Sequence, residues 1–264
     1  MYHRICLLAV MASLWWCMSG QAQSPSVAYR PQTEPYATFL VVQDNDDLEP
    51  EPLSPAARQA EKETVAKLRG IKDDAGRAKC FVVTEGPDKC ATSVAYTGGK
   101  INDETLKLTA RLCRNGTVNA DKCDITDDQL KHLSGLKSLI NLVLSNTPVT
   151  DKGMVHLRPL TNLQTLHLSN TKVSDPGLDD IAQLKNLKIL NLSQTKVTDR
   201  GMKKLLPLTQ LKWLLLSDTA ITDAGLRQLA AMKQLSRVTV DKTKVTAAGV
   251  DRLKKAIPKL HVDQ

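Results

Sequence analysis

Apolar residues return along the second half of this chain at one fixed spacing. Residues 125–148 read ITDDQLKHLSGLKSLINLVLSNTP, and the same order of apolar and polar positions recurs without a gap in residues 149–172, 173–196, 197–220 and 221–244. The period is 24 residues (149 − 125). In the second copy, Leu166 and Leu168 alternate with His167, which is the period of a short strand, and Leu163 precedes them. Met154, Leu157 and Leu160 then fall at helix-like spacing. Each unit is therefore predicted to run strand, turn, helix. One unit cannot bury its own leucines, whereas a stack of units buries a continuous column of them. Thr-Asp or Ser-Asp stands before a Gly-Leu or Gly-Met pair at Asp151, Asp175, Asp199 and Asp223, or with one residue between. A short polar side chain there can accept hydrogen bonds from the free N–H groups of a helix start.

Degenerate copies flank the clear ones. Ile101-Asn102-Asp103 lies one period before Ile125, with Val118 and Ala120 at its strand positions, and Val94-Ala95-Tyr96 lies one period earlier. Such copies are usual at the ends of a stack. Residues 245–264 begin a further copy with Ala247 in place of the Asp, then carry Arg252, Lys254 and Lys255, a polar C-terminal cap. Before the repeats, Ser54-Pro55 predicts a helix with Ser as N-cap and Pro at the first helical position. Ala57, Ala60, Val65 and Leu68 give it an apolar stripe and Gly70 ends it; Cys80–Val83 reads as a strand.

The repeats resemble the leucine-rich repeat family, in the 24-residue form with the pattern L-x-x-L-x-L-S-x-T-x-[VI]-T-D-x-G-L, over roughly residues 76–264. The family's strand-end Asn is replaced by Thr147, Thr171, Thr195, Thr219 and Thr243, whose hydroxyls can also satisfy backbone groups of a turn. The resemblance implies an α/β, right-handed solenoid, with short parallel strands on a concave face and short helices outside. The expected segments are residues 1–22, a leader; 23–53, a linker; 54–100, an N-terminal cap; 101–244, the repeats; and 245–264, a C-terminal cap.

Composition adds a location. His3 and Arg4 precede an apolar run from Ile5 to about Met18, and Gly20-Gln21-Ala22 follows as a small-x-small cleavage pattern. That is a secretory signal, too short to span a bilayer. Cys17 ends the run, but Trp16 precedes it where a lipoprotein signal takes a small residue. No other stretch reads as transmembrane, so the expectation is a periplasmic or secreted protein. Cys80, Cys90, Cys113 and Cys123 remain after the leader, an even number that suggests two disulfides. Three connectivities are open: Cys80–Cys90 with Cys113–Cys123 is the simplest, and Cys90–Cys113 would staple adjacent coils. Their spacings do not match a zinc site. Residues 23–53 are Pro-rich and acidic, with one apolar patch at residues 39–42, and read as an extended linker.

The chain carries a net charge of +8, with the bases concentrated in the repeats and C-terminal cap. An anionic envelope surface is therefore a possible partner, or else the lysines are a solvated exterior. The mature chain has few aromatics to interleave with bases, and export argues further against nucleic acid. No catalytic set is visible. Gly98-Gly99-Lys100 lacks the frame of a phosphate loop. The Ser145, Ser169, Ser193 and Ser217 column has no base to activate it. His132 and His156 share a slot in successive helices and read as solvated rather than as metal ligands. The expectation is a non-enzymatic protein-binding module with no cofactor and no metal.

Surface is what remains. Between the buried leucines, one outward row reads Asn141, Thr165, Ile189, Trp213, Arg237. The next reads Val143, His167, Asn191, Leu215, Thr239, and the third Ser145, Ser169, Ser193, Ser217, Asp241. Ile189, Trp213 and Leu215 cluster on adjacent strands, and exposed Trp beside aliphatics is typical of binding hot spots. His167 and Arg237 are expected as polar rim contacts.

Overall fold

The computed structural model describes residues 54–72, 80–85, 90–112 and 116–264, and the stretch from Leu53 to Gln264 forms one compact unit. The expected leader, the linker with its apolar patch at 39–42, and Cys113 lie outside the described residues. Ser54 caps helix α1 (Pro55–Arg69) by accepting from Ala57 N–H at 3.2 Å, and Gly70 closes it. The buried stripe of α1 is Glu61, Thr64, Val65 and Leu68. Of the expected stripe, Val65 and Leu68 are buried, whereas Ala57 is half-buried and Ala60 exposed.

Among the described residues, nine strands make one sheet in chain order: β1 (Cys80–Glu85), β2 (Cys90–Tyr96), β3 (Thr117–Asn119), β4 (Asn141–Val143), β5 (Thr165–His167), β6 (Ile189–Asn191), β7 (Trp213–Leu215), β8 (Arg237–Thr239) and β9 (His261–Asp263). Only β1 and β2 pair antiparallel; every later pair is parallel and in a register of 24 residues, as in Leu142↔Leu166 (166 − 142) and Leu190↔Leu214 (214 − 190). The degenerate copies belong to the same ladder, with Val94 against Val118 and Val118 against Leu142. On the outside run α2 (Asp103–Thr109), α3 (Asp151–Met154), α4 (Leu178–Ile181), α5 (Asp199–Met202), α6 (Asp223–Leu229) and α7 (Ala247–Ala256). Several are single turns joined to 3₁₀ turns, because a 24-residue coil leaves little length between strands.

Columns of side chains fill the space between strand and helix. Leu142, Leu166, Leu190, Leu214 and Val238 form one column and Leu144, Leu168, Leu192, Leu216 and Val240 the next, all essentially inaccessible to water. Each fully buried leucine stabilises the stack by about 1.5–3 kcal/mol. The core does not open at the C-terminal end, where Leu253, Ile257 and Leu260 stay buried. Tyr96 takes a core position in its coil, and its hydroxyl meets that of Thr109 to tie β2 to α2.

The two polar residues at each helix start divide the work. Thr150, Thr198 and Thr222 cap the helix starts, each hydroxyl accepting from the N–H two residues on. The Asp that follows reaches into the next coil instead. Asp151 accepts from Ser174 N–H at 2.7 Å and from its hydroxyl at 2.5 Å; Asp175 accepts from Thr198 at 2.8 and 2.6 Å; Asp199 accepts from Thr222 at 2.8 and 2.7 Å. The next coil's glycine lies directly over this carboxylate. A Cβ on Gly201 would stand 2.5 Å from Asp175 Oδ1 and 2.7 Å from Leu178 Cδ1. Glycine is required here by close approach.

Two further ladders join the coils. Asn146 and Asn170, with φ of 57° and 53°, adopt the left-handed conformation, as do Lys122, Gln194, Asp218 and Lys242 at the equivalent turns. Asn170 Nδ2 donates to Asn146 Oδ1 at 2.9 Å, and Asn146 Nδ2 donates to Asp121 at 2.7 Å. At another corner, Asn162 and Asn186 side chains each donate to a carbonyl of the preceding coil at 2.8 Å. The Thr column is structural as expected: Thr147, Thr171 and Thr195 donate to the carbonyl three residues back in their own turn at 2.6–2.7 Å.

Candidate functional site

The sheet face carries the candidate site, because the strand period sends Leu142, Leu166, Leu190 and Leu214 inward and their neighbours outward. The register then places Asn141, Thr165, Ile189, Trp213 and Arg237 side by side, and Val143, His167, Asn191, Leu215 and Thr239 beside them. Ile189, Trp213 and Leu215 do meet on adjacent strands, with Ile189 paired to Trp213 and Asn191 to Leu215.

The face is more closed than its composition suggests. Ile189 is only 8 % exposed, and Asn141, Thr165, Asn191 and Thr239 are also buried. With strands less than 5 Å apart, side chains in one outward row cover each other. Trp213, Leu215, Val143 and His167 remain partly exposed. The apolar patch offered to a partner is thus Trp213 with Leu215, seated on Ile189 rather than continued by it.

The polar groups are largely engaged. Asn141 Nδ2 donates to Thr117 at 3.1 Å, and Asn191 Oδ1 accepts from Ser193 N–H at 2.9 Å. Ser217 Oγ donates to the Asp241 carboxylate at 3.1 Å and lies 3.1 Å from the Thr239 hydroxyl. Arg237 is held by Asp263, Nε to Oδ2 at 2.8 Å, and His261 Nε2 lies 2.8 Å from the other oxygen of that carboxylate. Arg237 thus carries a counter-ion while its side chain stays 36 % exposed. Burial pushes the His167 imidazole down to about 4, so it is neutral near pH 7 and brings no positive charge to the rim. Ser193 is also buried, and its hydroxyl has no hydrogen-bond partner among the described residues.

Elsewhere, His132 Nε2 lies 3.3 Å from Asp103, which Gln129 also contacts at 2.9 Å, a bridge between the first coils. Among the described residues, no group of three or more His, Cys, Asp or Glu side chains comes together to hold a metal, and no helix is long and apolar enough to cross a membrane. The hairpin register excludes the simplest cysteine pairing. Cys80 faces Tyr96, and Cys90 lies six residues from Tyr96 along β2 (96 − 90), about 20 Å away where a disulfide needs Cα atoms within about 7 Å. Cys80 and Cys123 are both buried, and burial pushes the Cys80 thiol up to about 12.

Comparison with known proteins bears on the coil itself. A family profile described as leucine-rich repeats in two copies matches residues 161–199. An internalin, InlF, from Listeria monocytogenes superposes with a TM-score of 0.54 at 21 % identity, over 65 % of this chain and 46 % of that one. The solenoid has the leucine-rich repeat fold. Internalin C2 from the same organism superposes with a TM-score of 0.52 at 19 % identity, over 77 % of this chain and 91 % of that one. No curated protein matches the chain. The present chain thus spans less than half the length of InlF, and what it shares with both internalins is the leucine-rich repeat fold. Sequence reading missed the carboxylate latch between coils, although the recurrence of Asp two residues before Gly carried the signal. It also missed the pairing of Arg237 with Asp263, although Asp263 stands one period after Thr239 on the strand beside Arg237.

Proposed function

We propose that this leucine-rich repeat chain is an exported, non-enzymatic module that binds a protein on its sheet face, centred on Trp213 and Leu215 over Ile189. The observation that carries this reading is the placement of an indole and an aliphatic side chain, both partly exposed, on a rigid surface whose other groups are mostly satisfied. Large aromatic anchors on a preorganised scaffold are where binding energy concentrates. The leader at residues 1–22 supports a periplasmic or secreted location. Val143 and His167 border the patch. The test is capture from envelope and culture fractions, comparing wild type with Trp213→Asp at low and high salt. A protein retained in salt and lost with Trp213→Asp supports the reading; binding that ignores the substitution refutes it.

A second reading rests on exposed Lys172, Lys196 and Lys244, which recur at one turn of the coil. There the basic exterior would bind anionic polysaccharide or lipid headgroups. Such association weakens strongly as ionic strength rises, and it is indifferent to Trp213→Asp.

A further inference from the structure

The eight residues before each strand from β4 to β9 hold no acid. They are residues 133–140, 157–164, 181–188, 205–212, 229–236 and 253–260, in a chain with 28 Asp and Glu. Every one of these segments carries a base, among them Lys137, Lys185, Lys188, Lys212 and Lys233. The segments lie side by side along one flank: Lys188 N–H donates to the Gln164 carbonyl, Lys212 N–H to Lys188 and Ser236 N–H to Lys212, each at 2.8 Å. The turns after the strands differ. There Asp121, Asp218 and Asp241 stand among Lys122, Lys196 and Lys242, with Ser145 and Ser169 partly exposed. On the acid-free flank, Arg158 is met by Asp180 from the helix side, and the Lys185 and Lys233 ammonium groups donate to the carbonyls of Ala182 and Ala256. Among the described residues, no carboxylate pairs with Lys188 or Lys212. Their backbones run about 5 Å apart, so the two cations repel and an anion set between them is favoured.

These lysines border the apolar anchor. Ile189 follows Lys188 directly, Trp213 follows Lys212, and the two apolar residues pair across β6 and β7. The sheet face from β4 to β8 measures only roughly 10 by 20 Å, against about 800 Å² that each side of a stable protein interface buries. A partner seated on Trp213 therefore reaches past a border of the face, and the indole stands at the lysine border. We propose that this partner is an acidic polypeptide, which sets an apolar side chain on Trp213 and carboxylates against Lys188 and Lys212. This deepens the sheet-face reading and rests on it. A polypeptide can present an apolar group and carboxylates side by side. A polyuronate brings the charge without the apolar group, and a bilayer keeps its apolar groups beneath its charged plane.

The test pans a random dodecapeptide display library on the full chain, then measures enriched peptides against variants whose melting confirms folding. The expected peptides combine an aromatic or aliphatic residue with two or more Asp or Glu. Their affinity falls about tenfold or more with Trp213→Ala, which leaves the charge unchanged, and about tenfold or more with Lys188→Glu and Lys212→Glu together. Salt slows association, while the apolar anchor keeps dissociation slow. Replacing the peptide's acids by Lys restores binding to the Lys188→Glu, Lys212→Glu variant. Lys152→Glu with Arg200→Glu, an equal change of charge at the helix starts, has little effect. Uncharged or basic peptides overturn the acidic partner and leave the sheet face as the site. So do peptides lost with Trp213→Ala but indifferent to the Lys188, Lys212 variant, or equally weakened by the Lys152, Arg200 one. Peptides indifferent to Trp213→Ala overturn the sheet-face reading itself. A library that enriches nothing overturns polypeptide as the occupant; binding of polygalacturonate or of phosphatidylglycerol vesicles, lost with the Lys188, Lys212 variant, then assigns the flank to that polyanion.

Discussion

Gly201→Ala is the sharpest probe of how the coils hold together. The new Cβ would stand 2.5 Å from Asp175 Oδ1 and 2.7 Å from Leu178 Cδ1. The leucine methyl can shift, but the carboxylate is fixed by two donors of Thr198 at 2.8 and 2.6 Å. Relieving the clash means stretching those bonds. Overpacking of this kind costs about 1–3 kcal/mol. Weakening hydrogen bonds to a charged acceptor adds about 1.5–3 kcal/mol for each bond lost outright. Against this, Ala is the better helix former by about 1 kcal/mol. The net expectation is a loss of about 2–3 kcal/mol, read as a lower urea midpoint by circular dichroism. Asp175→Ala should also destabilise, since it strands the Thr198 N–H. In the double variant the clash is gone, so adding the Gly201 substitution should then cost little or even help. A coupling of about 1 kcal/mol or more between the two sites is expected. If Gly201→Ala leaves the midpoint unchanged or raises it in the wild-type background, helix propensity outweighs the latch and the reasoning is refuted.

Three other outcomes follow from local environments. His167 has a folded value of about 4 against 6.5 when unfolded, so the unfolded chain takes up the proton first as pH falls. Its contribution is complete above about pH 6.5 and drains away between 6.5 and 4, by about 3 kcal/mol in all; His167→Gln should flatten that part of the stability profile, and an imidazole titrating near 6.5 by NMR in the folded protein would contradict it. Gln194 holds φ of 56° where the two preceding coils use Asn, so Gln194→Asn should raise stability by about 0.5–1 kcal/mol in urea titration. The Cys80 thiol, buried and pushed up to about 12, should resist alkylation at pH 8 in the native protein and react on unfolding, as mass spectrometry of labelled peptides would show.

What the sequence determined is the coil. A 24-residue period with Leu166 and Leu168 two apart and Met154, Leu157 and Leu160 on a helical spacing leaves no other way to bury those side chains than a stack. Because register follows from the period, the columns and outward rows were also legible, including the meeting of Ile189, Trp213 and Leu215. The tertiary structure decided everything that depends on one coil touching the next. Asp175 could be seen to recur, but whether it served its own helix or Thr198 depended on the distance between coils. Ile189 and Trp213 are equally apolar in sequence, yet one is covered and the other partly exposed, because packing across strands sets exposure residue by residue. Arg237 reads in sequence as a lone cation at the end of its row, and folding sets the Asp263 carboxylate against it. Periodicity encodes contacts that repeat; contacts made once, at an end of the stack or between unlike side chains, arise only when the chain is folded.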